Sequence, residues 1–265
     1  MTSAFDDDTA VVAVGEGTWR GEATDRWTIA GVPNGGYLMS IVLGAILTRS
    51  SHPDPLTVTG HFLGRTRPGP VDIEAETIKE GRSLTTMSAS LTQDGREALR
   101  ILATLGNLDT MEGPTAIDAA PPDIGPLADL GDTDVDRSVV RIADRFEYRM
   151  RKEKARGAAG DPSGTAHVDS LIRFADGREP DARCLPTIAD AFPPAVYQLG
   201  HYGWTPTLEL TVHFRGRPAA GWLLCVLRTR FLERGLLEED GEIWDSSGRI
   251  VALSRQMAIA SVGRD

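Results

Sequence analysis

Residues 207–214, TLELTVHF, alternate strictly: Leu208, Leu210, Val212 and Phe214 share one side of an extended chain, and Thr207, Glu209, Thr211 and His213 the other. That period predicts a β-strand, and the RGRP that closes it predicts a turn. The same punctuation stands in HFLGRTRPGP, so His-Phe-x-Gly-Arg is written twice, at His61 and at His213. The pattern downstream repeats as well. VDIEAETIKEG and SLTTMSASLTQDGREALRILATLG follow His61; WLLCVLRTRFLERG and LLEEDGEIWDSSGRIVALSRQMAIAS follow His213. Gly81 and Gly95 in the first copy, and Gly235 and Gly248 in the second, separate β-rich runs, so each half predicts a β-meander.

Upstream of each meander lies an apolar segment of helical length. In GVPNGGYLMSIVLGAIL, Leu38, Ile41, Val42, Ala45 and Ile46 have helix spacing, and the intervening positions are mostly apolar too, which predicts a helix enclosed on most sides. The matching segment is CLPTIADAFPPAVYQLG, where Pro193 and Pro194 predict an end or kink soon after Asp190. Residues 109–139 are rich in Pro, Gly and Asp without sustained period and read as a linker. The expected organisation is α+β: residues 1–108 and 140–265, each an antiparallel sheet wrapped around one central helix. The two units are expected to pair, since a lone sheet would leave an apolar edge exposed. This architecture resembles the double hotdog, in which two such sheets can join.

Composition narrows the function classes. A chain of 265 residues with 41% apolar and 25% charged residues has the makeup of an ordinary soluble protein, and its net charge of −10 opposes sequence-independent binding of a nucleic-acid backbone. The longest apolar stretch, YLMSIVLGAIL, is too short to span a bilayer, and the acidic start MTSAFDDDTAVV is unlike a secretory leader, so a cytoplasmic location is expected. Cys184 and Cys225 stand far apart, and the five histidines show no HExxH spacing; neither a metal nor another cofactor is expected. G-x-S-x-G and P-loop patterns are absent.

PNGGYL at the first helix start, the Asp of TIADAF, the strand TLELTVHFRGRP followed by WLL, and the closing GRIVALSRQMAIA resemble, in that order, the acyl-CoA thioesterase II family and its actinobacterial thioesterase-like relatives. The resemblance implies hydrolysis of a fatty acyl-CoA to free acid and CoA. It also implies a water held by an Asp, a hydroxyl residue and a Gln, which fall on Asp190, Thr207 and Gln256. Thr205 and Thr211 compete for the hydroxyl role, and alternation does not separate them. Further association into a homo-oligomer is expected of the family. The first half lacks this set: Thr104 stands where Gln256 does, Pro55 where Thr207 does, and its helix carries no acid. One hydrolytic set per chain follows, with the repeated His-Phe motif a shared strand end.

The chemistry suits these residue types. A thioester carbonyl is already activated, so a well-placed water and a carboxylate base suffice. A helix N-terminus offers backbone N–H donors to a developing oxyanion, which makes Asn34, Gly35, Gly36 and Tyr37 candidates for substrate binding, with the Gly36 and Tyr37 N–H groups polarising the carbonyl. Arg65, Arg67, Arg215 and Arg217 cluster after the two strand ends as candidate contacts for CoA phosphates. The rival readings are a hotdog enoyl-CoA hydratase, whose closely spaced Asp and His neither helix segment contains, and a non-catalytic acyl-CoA-binding or assembly protein.

Overall fold

In the computed structural model, which describes residues 3–155, 162–200 and 203–260, the alternating runs become strands and the Gly-containing turns join them. The first half runs α1 (Ala4–Asp8), β1 (Val12–Gly15), β2 (Thr18–Ala23), the short β3 (Thr28–Ile29) and β4 (Val32–Pro33), α2 (Gly35–Arg49), β5 (Asp54–Phe62), β6 (Gly69–Glu80), β7 (Thr85–Gln93) and β8 (Arg96–Gly106). Residues 111–126 form neither helix nor strand. The second half runs β9 (Phe146–Met150), α3 (Lys152–Ala155), β10 (His167–Phe174), α4 (Leu185–Ala189), β11 (Thr207–Phe214), β12 (Leu223–Arg228), β13 (Leu232–Glu233), β14 (Leu236–Trp244) and β15 (Ile250–Ile259).

The two sheets expected of the halves are joined into one. Thirteen of the described strands form one antiparallel sheet in the order β1-β2-β6-β7-β8-β5-β11-β15-β14-β12-β10-β9, with β13 paired to β14, while β3 and β4 pair apart from it. The physical reason lies in the repeat. β5 and β11, the strands that end in the duplicated His-Phe, pair with each other, so each covers the edge the other would leave open. Thr59 and Thr211, equivalent positions of the two copies, lie opposite each other with their hydroxyls 2.8 Å apart, as on a local two-fold axis.

The first helix is as enclosed as its sequence predicts: every residue of α2 from Gly36 to Ile46 is buried. The second departs from expectation. α4 is only five residues long and ends at Ala189, with Asp190 as its C-cap. Pro193 and Pro194 lack the N–H groups that would continue it, and the chain resumes as a 3-10 turn over Ala195–Leu199. The two helices touch closely: Ser40 Oγ and Thr187 Oγ1 are 2.7 Å apart, and a Cβ on Gly36 would lie 2.1 Å from the Pro186 carbonyl oxygen. Gly36→Ala must therefore push α2 and α4 apart. We expect a loss of about 1–3 kcal/mol, read as a lower melting temperature, because a rigid carbonyl cannot yield as a flexible side chain would. An unchanged melting temperature would show that the contact does not constrain position 36.

Candidate active site

The N-terminus of α2 and the C-terminus of α4 close on one carboxylate. Asn34 is the N-cap of α2; its Oδ1 accepts from the Tyr37 N–H at 2.9 Å. Its Nδ2 donates to the Asp190 backbone oxygen at 2.7 Å and to Asp190 Oδ2 at 2.8 Å. The Gly36 N–H donates to the same Oδ2 at 2.9 Å. Burial pushes the Asp190 carboxyl up to about 6, against the downward pull of the Gly36, Asn34 and Gly35 donors. Such a group is ionised at neutral pH yet basic enough to take a proton.

These contacts overturn two sequence expectations. The Gly36 and Tyr37 N–H groups do not face a substrate carbonyl: the first is committed to Asp190 and the second to Asn34. Tyr37 is wholly buried, its ring stacked on Trp27 at 5.2 Å and its hydroxyl donating to the Asp8 carbonyl at 2.7 Å. Burial pushes its phenol up to about 12. Tyr37 is a core anchor that fastens the N-terminal segment.

The hydroxyl and the amide arrive from β11 and β15. Strict alternation puts Thr207 on the side of Glu209 and Thr211, and this too is corrected. Thr207 pairs with Ala258 while Glu209 pairs with Met257, so a β-bulge inserts one extra residue and brings Thr207 round to the face of Leu210. Leu210 lies opposite Gln256, which is 8% exposed. Thr207 Oγ1 donates to Gln256 Oε1 at 3.0 Å. Thr211 stays on the other face beside Thr59, while Thr205 donates to the Gly203 carbonyl at 3.1 Å.

Asp190, Thr207 and Gln256 line one cavity of about 370 Å³, with Asn34, Gly35 and Thr205. Its apolar wall includes Ile29, Leu38, Phe62, Phe192 and Leu237, drawn from both halves. Among the described residues no histidine lines it; His61 and His213 are exposed on the strand ends. Of the four arginines only Arg65 reaches this cavity; it is exposed and makes no ion pair among the described residues. Arg67 is paired with Asp94, and Arg217 with Asp54 and Asp109, so nearby acids already occupy both. Arg215 is exposed but does not line the cavity.

Sequence reasoning missed one residue, Glu239. It lies opposite Gln256 on β14, is 4% exposed, and accepts from Gln256 Nε2 at 3.0 Å through Oε1 and from the Ala195 N–H through Oε2. Burial pushes its carboxyl up to about 7, and the negative charge of Asp190 adds to the rise. The signal was available: in LLEEDGEIW, Glu239 shares parity with Leu237, Gly241 and Ile243, an acid on the inward face.

The chain as a whole is similar to known proteins. Residues 23–106 match the family described as acyl-CoA thioesterase N-terminal domain, and residues 117–260 its C-terminal domain. A candidate thioesterase II of Thermobifida fusca superposes with a TM-score of 0.90 at 31% identity, over 99% of this chain and 98% of that one. A hot dog-fold protein of unknown function from Alicyclobacillus acidocaldarius gives a TM-score of 0.88 at 25% identity over the full length of both chains. Among curated proteins, an uncharacterized Mycobacterium tuberculosis protein is 26% identical over 91% of this chain and 90% of its own.

Proposed function

Because the chain belongs to the acyl-CoA thioesterase family and is a thioester hydrolase, we propose that it hydrolyses a fatty acyl-CoA with a water held between Asp190, Thr207 and Gln256. The observation that carries this reading is the meeting of all three residues on one largely apolar cavity. The apolar wall takes the acyl chain. The Asn34 and Gly36 donors both end on Asp190 Oδ2, which leaves Oδ1 for the water. The water oxygen attacks the carbonyl carbon while one of its protons passes to Oδ1; the tetrahedral intermediate collapses, the C–S bond breaks, and the CoA sulfur leaves with the proton that Oδ1 took, which restores the carboxylate.

The same reading treats residues 1–108 and 140–265 as two hotdog units, with acid, hydroxyl and amide all from the second. Arg65, exposed at the cavity, is assigned to a CoA phosphate.

The test is thiol release from a panel of acyl-CoAs, short to long, repeated with acyl-pantetheines that lack the nucleotide phosphates. Arg65→Ala is expected to raise KM for acyl-CoA by about tenfold, the loss of one charge-assisted contact, and to leave KM for acyl-pantetheine unchanged. Equal effects on both series would remove Arg65 from phosphate binding. No release from any member of either panel would overturn the substrate assignment.

A further inference from the structure

We infer that Glu239 is a positioning residue, which fixes the end of the Gln256 amide that faces the water site. The inference rests on the assignment of Thr207 and Gln256 to that water. A carboxylate has acceptors only. Oε2 of Glu239 takes the Ala195 N–H, and Oε1 takes Gln256 Nε2 at 3.0 Å. With its nitrogen held there, Gln256 must turn its oxygen toward Thr207, whose hydroxyl donates to it at 3.0 Å. The order of donors is thereby set from Gln256 to Glu239 and from Thr207 to Gln256.

The consequence falls on the water. The Thr207 proton is engaged with Gln256, so this pair offers lone pairs to the cavity, as Asp190 does. A water among acceptors directs its protons at the protein and keeps a lone pair for the carbonyl carbon. A reversed amide would present an NH2 to Thr207, free the Thr207 proton to point into the cavity, and engage the lone pair that attacks. Glu239 reaches neither water nor substrate in this scheme; it lies behind Gln256 and does not line the cavity.

Glu239→Gln is the discriminating substitution, because the Ala195 and Gln256 donors end on different oxygens of Glu239 and a single amide oxygen can take only one of those two places. With that oxygen on Ala195, its NH2 faces Gln256 and turns the amide round; with the oxygen on Gln256, its NH2 meets the Ala195 N–H in a buried donor–donor contact. Single-turnover and steady-state hydrolysis of one good acyl-CoA should be compared for wild type, Gln256→Ala, Glu239→Gln and the double variant. We expect Glu239→Gln to lower kcat by about 10- to 100-fold, the scale of a misplaced reacting group, with KM within about twofold of wild type. In the Gln256→Ala background Glu239→Gln should have no further effect, since it acts through the missing amide. Glu239→Met, which releases the amide without offering a donor, keeps the cycle interpretable if the Gln variant does not fold, and the same non-additivity is expected.

Three results overturn the inference. If Glu239→Gln or Glu239→Met retains wild-type kcat while Gln256→Ala is slow, the amide needs no such anchor and only this inference falls. If either costs its full factor in the Gln256→Ala background, Glu239 acts by another route. If Gln256→Ala itself turns over at the wild-type rate, the water-site reading falls and this one with it.

Discussion

Asp190→Asn is expected to slow single-turnover hydrolysis of a good acyl-CoA by about 100-fold or more, the usual weight of a general base, while the protein stays folded. The substitution is nearly isosteric. Its amide oxygen can occupy the Oδ2 position and still accept from Gly36 and Asn34, so the junction of α2 and α4 is retained. Its nitrogen then sits where Oδ1 stood and presents a donor in place of the proton acceptor. Stability should move the opposite way. Burial raises the folded-state carboxyl to about 6, above the ordinary value of 3.8. The stability this group contributes is therefore full below its unfolded value and is lost as pH rises through 6. Asparagine, neutral throughout, escapes that loss, so at pH 8 the melting temperature of Asp190→Asn should equal or exceed that of wild type. Thr207→Ala and Gln256→Ala should each be slow, and adding either to Asp190→Asn should change little, because groups that act as one unit are not additive. A near-normal single-turnover rate for Asp190→Asn would reduce the residue to a cap on α2.

What the sequence made legible follows from local rules. Period-2 runs and Gly turns marked the meanders, and the mostly apolar stretch after Asn34 marked α2 as an enclosed helix. The resemblance drew attention to Asp190, Thr207 and Gln256, which the fold brings to one cavity. What stayed hidden depends on partners distant in sequence. The bulge at Thr207 is a two-against-one register with β15, so parity along β11 alone assigns the wrong face. The Gly36 N–H looks free at a helix N-terminus until the second half supplies Asp190 to take it. The pairing of the two units was expected, but not that the two copies of the His-Phe strand, β5 and β11, form the seam. Glu239 differs from these, since its place on the inward face of β14 could be read from alternation; what could not be read was that Gln256 and Ala195 would both donate to it.

The pH profile separates the base from the residue that orients its water. Both carboxyls, Asp190 raised to about 6 and Glu239 raised to about 7, are shifted chiefly by burial, and both must be ionised in the proposed scheme. Asp190 must accept a proton, and Glu239 must offer two acceptors. Protonation places an O–H on one of Glu239's oxygens, so acid does to Gln256 what Glu239→Gln does. Wild-type kcat/KM should accordingly be flat at pH 8 and fall as pH drops through 7 and 6. The Glu239 step should cost no more than the roughly 10- to 100-fold of Glu239→Gln, so the limb should run steeper than about tenfold per pH unit only until that factor is spent, and then fall about tenfold per unit, as a single essential base gives. Glu239→Gln removes the upper step: its profile should start from a lower plateau and fall with a slope of one through the Asp190 step alone. Asp190→Asn should leave a residual rate without an acid limb governed by a base. The measurement is kcat/KM from pH 4.5 to 9 with one acyl-CoA, corrected for uncatalysed hydrolysis, with recovery of full activity on return to pH 8 as the control for unfolding. A wild-type slope of one that persists unchanged in Glu239→Gln would assign the whole acid limb to Asp190 and leave Glu239 outside the titration. A wild-type profile with no fall above pH 5 would rule out both carboxyls as groups whose ionisation the reaction needs.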